Sequence, residues 1–258
     1  METILKSDTM HLEKEGKRAW VTLTRKSHLN AVNNEGTVLL QRMALAIRED
    51  PDIRVVVVRG RGRAYCTGID LKELSADKID MGYHERWEKA LRIFEQMEKI
   101  LIVGMHGYCL GGGLQLALAC DIRVSTPDCQ LGLPALRESL IPGLATWRLP
   151  RSVGWGRAKE LIVGGESMSG DEASVIGLVD HLVPGEDFFS HLDRVADGYL
   201  KACSTGSRMS KLLTNQAFDM DYDDFLTMYF GLQEQTQYGP DAEESKRAYR
   251  EKREPNWQ

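Results

Sequence analysis

The sequence predicts an α/β fold in which strands are covered on both faces by helices, and three observations predict it. Val55 to Val58 is an unbroken apolar run between Arg54 and Arg59, the pattern of a strand buried on both faces. A second apolar strand, Ile102 to Met105, runs into Gly111-Gly112-Gly113, after which Leu114 to Cys120 is an apolar run of helical character. From Phe188 onward the pattern is helical to the end. A chain of 258 residues can bury a sizeable core and fits one domain, or one domain with a small appendage.

Taken in order, Arg18 to Thr24 alternates as a strand does, and Arg25 to Asn33 follows as a polar loop. Glu35 to Arg48 carries Val38, Leu39, Met43, Ala46 and Ile47 at helical spacing, and Pro51 ends it. Arg54 to Arg59 is the buried strand. The Gly60-Arg-Gly62 that follows lacks the third glycine of a dinucleotide fingerprint, and no helix opens at it. Ser75 to Lys99 reads as helix with Trp87, Leu91, Phe94 and Met97 near one face, and its polar start, Ala76 to Glu85, is expected to be mobile. Asp121 to Ser125 is another strand. Ala158 to Val163 and Ala173 to Val183 repeat a small helix-and-strand rhythm. There is no internal repeat and no low-complexity segment.

Composition narrows the function classes. Apolar content of 42% and charged content of 28% are ordinary for a globular chain. A net charge of −5 and the lack of a basic, aromatic-interleaved helix argue against nucleic acid as the partner. No apolar run is long enough to span a bilayer, and the acids near Met1 do not suit a signal peptide, so a cytoplasmic protein with no membrane partner is expected. The five cysteines form no CxxC pair and read as reduced, buried thiols. The six histidines show no ligand spacing, and no metal is assigned.

The glycine run carries the chemistry. Glycine lets the backbone approach a ligand closely. The first turn of a helix also has N–H groups without intrahelical partners. No Lys-Ser/Thr follows the glycines, so a developing oxyanion on a carbonyl suits them better than a phosphate. The bland alternative is a turn where helix and sheet merely pack closely.

The stretch His106-Gly-Tyr-Cys-Leu-Gly-Gly-Gly-Leu-Gln-Leu-Ala-Leu-Ala-Cys-Asp121 resembles the central motif of the crotonase (enoyl-CoA hydratase/isomerase) family, Asn-Gly-x-x-x-Gly-Gly-Gly-x-Glu-Leu-Ala-x-x-Cys-Asp. Gly68-Ile-Asp-Leu71, Gly132-Leu-Pro134-Ala135 with Pro142-Gly143, and Arg148-Leu-Pro-Arg-Ser-Val-Gly154 resemble further family stretches. So does the closing Tyr249-Arg-Glu-Lys252-Arg-Glu-Pro255. The resemblance covers nearly the whole chain. It implies a crotonase-like ββα spiral core over residues 1–190. Residues 191–258 would form a helical region for oligomerisation, as a homotrimer or a dimer of trimers, and for closing the CoA site.

By the same resemblance the substrate is an acyl-CoA, with CoA as part of the substrate and no separate cofactor. The backbone N–H groups of Ile69 and Gly112 form the oxyanion hole. Asp70, Leu71, Lys72, Tyr249 and Lys252 are expected near the CoA thioester, and the region of Tyr83, His84 and Glu88 closes over the acyl group. Read without the family, those three are surface or packing residues.

The chain departs from the family's hydratases at their two glutamates. The first position is Gln115, which can hold water but cannot take its proton near neutral pH. The second is Ala135, and a one-residue shift would supply only Pro134 or Leu136. Glu138, three residues on, could be a single general base, but a pairing with Arg137 or Arg148 is the expectation favoured for a loop glutamate. Glu88, His84 and Tyr83 are the next candidates, and Trp147 shapes an apolar pocket or is core. The reaction is therefore expected to be non-standard: isomerisation, specialised hydration or dehydration of a cyclic or conjugated acyl group, decarboxylation or hydrolysis. An ordinary short-chain enoyl-CoA hydratase and a catalytically silent CoA-binding scaffold are the alternatives, and crotonyl-CoA hydration far below that of two-glutamate enzymes is expected.

Overall fold

The computed structural model describes residues 1–257. The chain runs β1 (Glu2–Lys6), β2 (Met10–Glu15), β3 (Arg18–Leu23), α1 (Asn34–Glu49), β4 (Val55–Gly60), α2 (Leu71–Ser75), α3 (Met81–Gln96), β5 (Ile100–Met105), β6 (Tyr108–Leu110) and α4 (Gly112–Leu118). It continues through β7 (Ile122–Ser125), β8 (Gln130–Gly132), α5 (Ala145–Val153), α6 (Trp155–Gly164), β9 (Ser167–Ser169), α7 (Gly170–Val175) and β10 (His181–Leu182). Four helices close it: α8 (Phe188–Leu200), α9 (Ser204–Gln216), α10 (Tyr222–Tyr238) and α11 (Pro240–Glu251).

Seven strands form one sheet in the order β1-β2-β3-β4-β5-β7-β10, and β6-β8-β9 form a second. The first three strands are an antiparallel meander, and β3, β4, β5, β7 and β10 run parallel. Parallel neighbours need crossovers, and α1, α2–α3 and β6–α4 supply three of them. The run Val55–Val58 behaves as its composition requires. Val56 and Val58 join the core on one face of the sheet, and Val55 and Val57 join that on the other. Trp20, Ile100, Ile102 and Val124 share the second face with Phe188, Leu192 and Ala196 of α8. The division expected at residue 190 therefore falls inside a helix packed on the sheet.

The helix predicted over 35–48 is α1, whose Leu40, Met43, Ala44 and Ile47 are fully buried. Burial of each large side chain among them contributes roughly 2 kcal/mol. The Asn33 side chain accepts the Gly36 N–H at 2.9 Å and fixes its start. The single helix expected over 75–99 is shorter: α2 ends at Ser75, and α3 runs only from Met81 to Gln96. Asp77 adopts a left-handed φ of 54° between them, and the Asp80 carboxylate accepts the Tyr83 N–H at 2.9 Å to start α3. The polar segment expected to be mobile is anchored at that end, because Tyr83 is buried and its hydroxyl donates to the Val32 carbonyl at 3.0 Å.

The C-terminal helices are tied to the sheet by polar links. Arg54 donates to the carbonyls of Leu200 and Ala202. The buried Lys211 of α9 donates to the carbonyls of Phe94 and Lys99 and pairs with Asp121 at 2.9 Å. Helix α10 has no buried residue, and Phe230 and Tyr238 stand exposed on it. Among the described residues no helix is long and apolar enough to cross a membrane.

Candidate active site

A cavity of about 610 Å³ lies beside the second sheet, between the loop after β4, the start of α4, helix α3 and the segment 134–143. Its walls explain themselves locally. Gly68 has φ +87°, and a β-carbon there would lie 2.6 Å from the Gly112 nitrogen and 2.9 Å from the Leu110 carbonyl oxygen. The two main chains thus run in contact, which only glycine permits. The Val32 N–H donates to Gly68 O at 2.7 Å and the Asp70 N–H donates to Val32 O at 2.9 Å. These bonds bracket Ile69 and leave its own N–H without an acceptor among the described residues. The Gly111 N–H is used by Gly132 O at 2.9 Å, and α4 begins one residue later. The Gly112 N–H, first in the helix, likewise has no partner among the described residues. Ile69 and Gly112 line the same cavity.

Gln115 sits three residues along α4 and is nearly buried, with 8% of its surface exposed. Its Oε1 accepts the Trp87 indole N–H at 3.2 Å. Indole nitrogen is a donor only, so Oε1 is fixed toward Trp87 and the donor-only Nε2 is left for another partner. Gly143, at φ +48°, presses on this group: a β-carbon there would lie 2.5 Å from Gln115 Oε1 and 2.8 Å from Glu88 Oε1. Glu88 Oε1 also accepts the Leu144 N–H at 2.9 Å, and Glu88 Oε2 accepts from Arg148 Nη1 at 2.8 Å. Arg148 is buried and donates from Nε to Glu95 at 2.5 Å.

The second family position lies in a 3-10 turn, Pro134–Glu138, closed by Ser139 at φ 58°. Side chains three apart eclipse in such a turn, so Glu138 leaves it on the same edge as Ala135. Both line the cavity. The expected pairing of Glu138 with Arg137 or Arg148 is not formed. Arg148 faces α3 and is already engaged by Glu88 and Glu95. Among the described residues Glu138 has neither an ion pair nor a hydrogen bond.

Asp70 lines the cavity but is spent on structure. Its carboxylate caps α2 through the N–H groups of Lys72 and Glu73 and pairs with Arg25 at 2.8 Å. Burial alone would raise its pKa, but the Arg25 and backbone hydrogen bonds outweigh burial and hold it below the usual carboxylate range. Leu71, Lys72, Tyr83 and His84 also line the cavity.

Tyr249 and Lys252 are not brought to the cavity within this chain. Tyr249 is 88% exposed on α11, and Lys252 follows that helix at φ 54°. Trp147 is neither core nor cavity wall, since it lies half-exposed beneath Arg151, 3.5 Å from the guanidinium carbon. The sequence reading missed the Trp87 donor, the Gly143 contact and the role of Arg148. The available signal was Glu88 and Glu95 seven residues apart, on one face of a helix.

Comparison with known proteins gives a consistent picture. Residues 13–258 match the family model described as "Enoyl-CoA hydratase/isomerase". The chain is 32% identical over 254 residues to "Crotonyl-CoA hydratase" of Syntrophomonas wolfei, covering 95% of this chain and 96% of that one. It is 32% identical over 216 residues to "Short-chain-enoyl-CoA hydratase" of Clostridium acetobutylicum, covering 82% and 83%. Among solved structures, an enoyl-CoA hydratase from Bacillus anthracis superposes with a TM-score of 0.91 at 29% identity, covering 96% of this chain and 98% of that one.

Proposed function

Because the chain belongs to the enoyl-CoA hydratase/isomerase family, we propose that it acts on an acyl-CoA thioester whose carbonyl oxygen lies between the N–H groups of Ile69 and Gly112, with Glu138 moving a proton at the adjacent carbon. One observation carries this reading. Two main-chain donors and one carboxylate that have no partner among the described residues line a single cavity. Donors aimed where an enolate oxygen gains charge stabilise it more than the neutral carbonyl, each by roughly 3 kcal/mol. The other two cavity carboxylates, Asp70 and Glu88, are paired with Arg25 and Arg148, and Glu138 is the one with no charged partner among the described residues. CoA enters as part of the substrate. Tyr249 and Lys252 would meet it from a neighbouring copy in a trimer or dimer of trimers, for which the exposed side chains of α10 leave a face.

The test is α-proton exchange. Butyryl-CoA in D2O should gain deuterium beside the thioester, and Glu138→Gln should slow the gain about 100-fold. Exchange that survives this substitution would remove Glu138 from the mechanism. A second reading, an ordinary hydratase, is favoured by the names of the relatives. Gln115 and Ala135 at the two family acid positions weigh against it.

A further inference from the structure

We propose that Glu88 has taken over the work of the missing acid at position 115, so that the cavity adds water across an enoyl-CoA double bond with two displaced carboxylates, Glu88 and Glu138. This rests on the acyl-CoA reading above. The Gln115 amide and the Glu88 carboxylate come from different helices, α4 and α3, yet converge on one point. Gln115 Oε1 lies 2.5 Å and Glu88 Oε1 lies 2.8 Å from where a β-carbon on Gly143 would stand. The absence of that β-carbon leaves the two groups adjacent at the cavity wall. Gln115 presents Oε1 there, and with one lone pair taken by the Trp87 indole N–H the second is left to accept. Glu88 offers only acceptors. A water donating one O–H to Gln115 Oε1 and the other to Glu88 Oε1 satisfies both.

The ion pair with Arg148 does not consume Glu88. Arg148 is shared with Glu95, which takes Nε at 2.5 Å and Nη2 at 3.4 Å, while Glu88 holds Nη1 alone at 2.8 Å. Two carboxylates on one guanidinium leave the group with a net negative charge. The step balances without an oxidant or reductant. The water gives a proton to Glu88 as its oxygen bonds to the alkene carbon β to the thioester. The π electrons shift to the carbonyl oxygen, held by the Ile69 and Gly112 amides. The enolate then takes a proton at the α-carbon from protonated Glu138. Glu88 ends protonated and Glu138 ionised, and both reset by exchange with solvent.

The test compares two reactions of the full-length protein: water addition to crotonyl-CoA and cyclohexene-1-carbonyl-CoA, and α-deuteration of butyryl-CoA in D2O. The second needs no water at the β-carbon. Glu88→Gln can still accept the Leu144 N–H and keep the Gly143 turn in place. The ratio of water addition to exchange should fall about 100-fold in this variant. A proportional fall in both, as a loosened turn would give, overturns the inference, and so does an unchanged ratio. Wild-type protein that exchanges but adds water to neither probe also overturns it and leaves the acyl-CoA reading standing. Absence of both exchange and thioester binding overturns that reading, and this inference with it.

Discussion

The Trp87 indole N–H donates to Gln115 Oε1 at 3.2 Å, across 28 residues of sequence. The contact fixes which end of the amide faces Trp87. A glutamate at 115 would accept the same indole N–H and present its second oxygen where Nε2 now stands. Gln115→Glu combined with Ala135→Glu should therefore raise crotonyl-CoA hydration about 100-fold, the usual worth of a placed acid or base. Loss of the conjugated absorbance measures it. No gain in a folded double variant would show that the rest of the cavity does not bind this thioester productively.

Gly68 is a second point of control. A β-carbon at this position would drive into the Gly112 nitrogen at 2.6 Å, and φ is +87°. Gly68→Ala should separate the Ile69 and Gly112 segments and lower turnover at least 100-fold, about the loss of one oxyanion donor. Binding of CoA alone should change less. Equal losses in CoA affinity and turnover would point to general unfolding of the loop.

Asp70 makes stability depend on pH in a defined sense. Its folded-state pKa is depressed relative to the unfolded chain. Its contribution is therefore complete above the ordinary carboxylate value and is lost as pH falls through the lower, folded value. Asp70→Asn should cost about 1–2 kcal/mol near neutral pH, and the gap to wild type should close toward the acid end. Urea unfolding at a series of pH values checks this. A gap that stays constant into acid would assign the loss to packing.

The thiols should be inert. Cys66, Cys109, Cys120 and Cys129 are buried, and burial pushes Cys66 and Cys129 up to about 12. Alkylation of the native protein at mildly alkaline pH, followed by mass spectrometry, should label the half-buried Cys203 alone, slowly, and all five sites after denaturation. Rapid native labelling of Cys66 would mean that the segment beside Ile69 opens readily.

What the sequence made legible was the framework set by strong local patterns. Val55–Val58 demanded cover on both faces and has it. The glycine run marked the start of α4, which opens at Gly112, two residues ahead of the apolar run from Leu114. The hairpin of β1 and β2 passed unread because its apolar signal is weak. Met10 and Leu12 alternate with His11 and Glu13, and charges fill the rest. The second sheet has strands of three residues, too short for any period to show. In the cavity, residue types were legible and orientations were not. The Gln115 amide is turned by a tryptophan on another helix, and Glu138 is left free because Arg148 faces α3. Both facts are tertiary.

The Lys211 ammonium reaches Asp121, which also accepts the Leu101 N–H near the start of β5. This makes the last four helices poor material for domain grafting. A chain cut before α9 would keep the Asp121 carboxylate but lose its cation, and the freed carbonyls of Phe94 and Lys99 would sit beside it. Chimaeras that exchange tails between relatives should succeed only when the donor tail brings its own lysine to this spot.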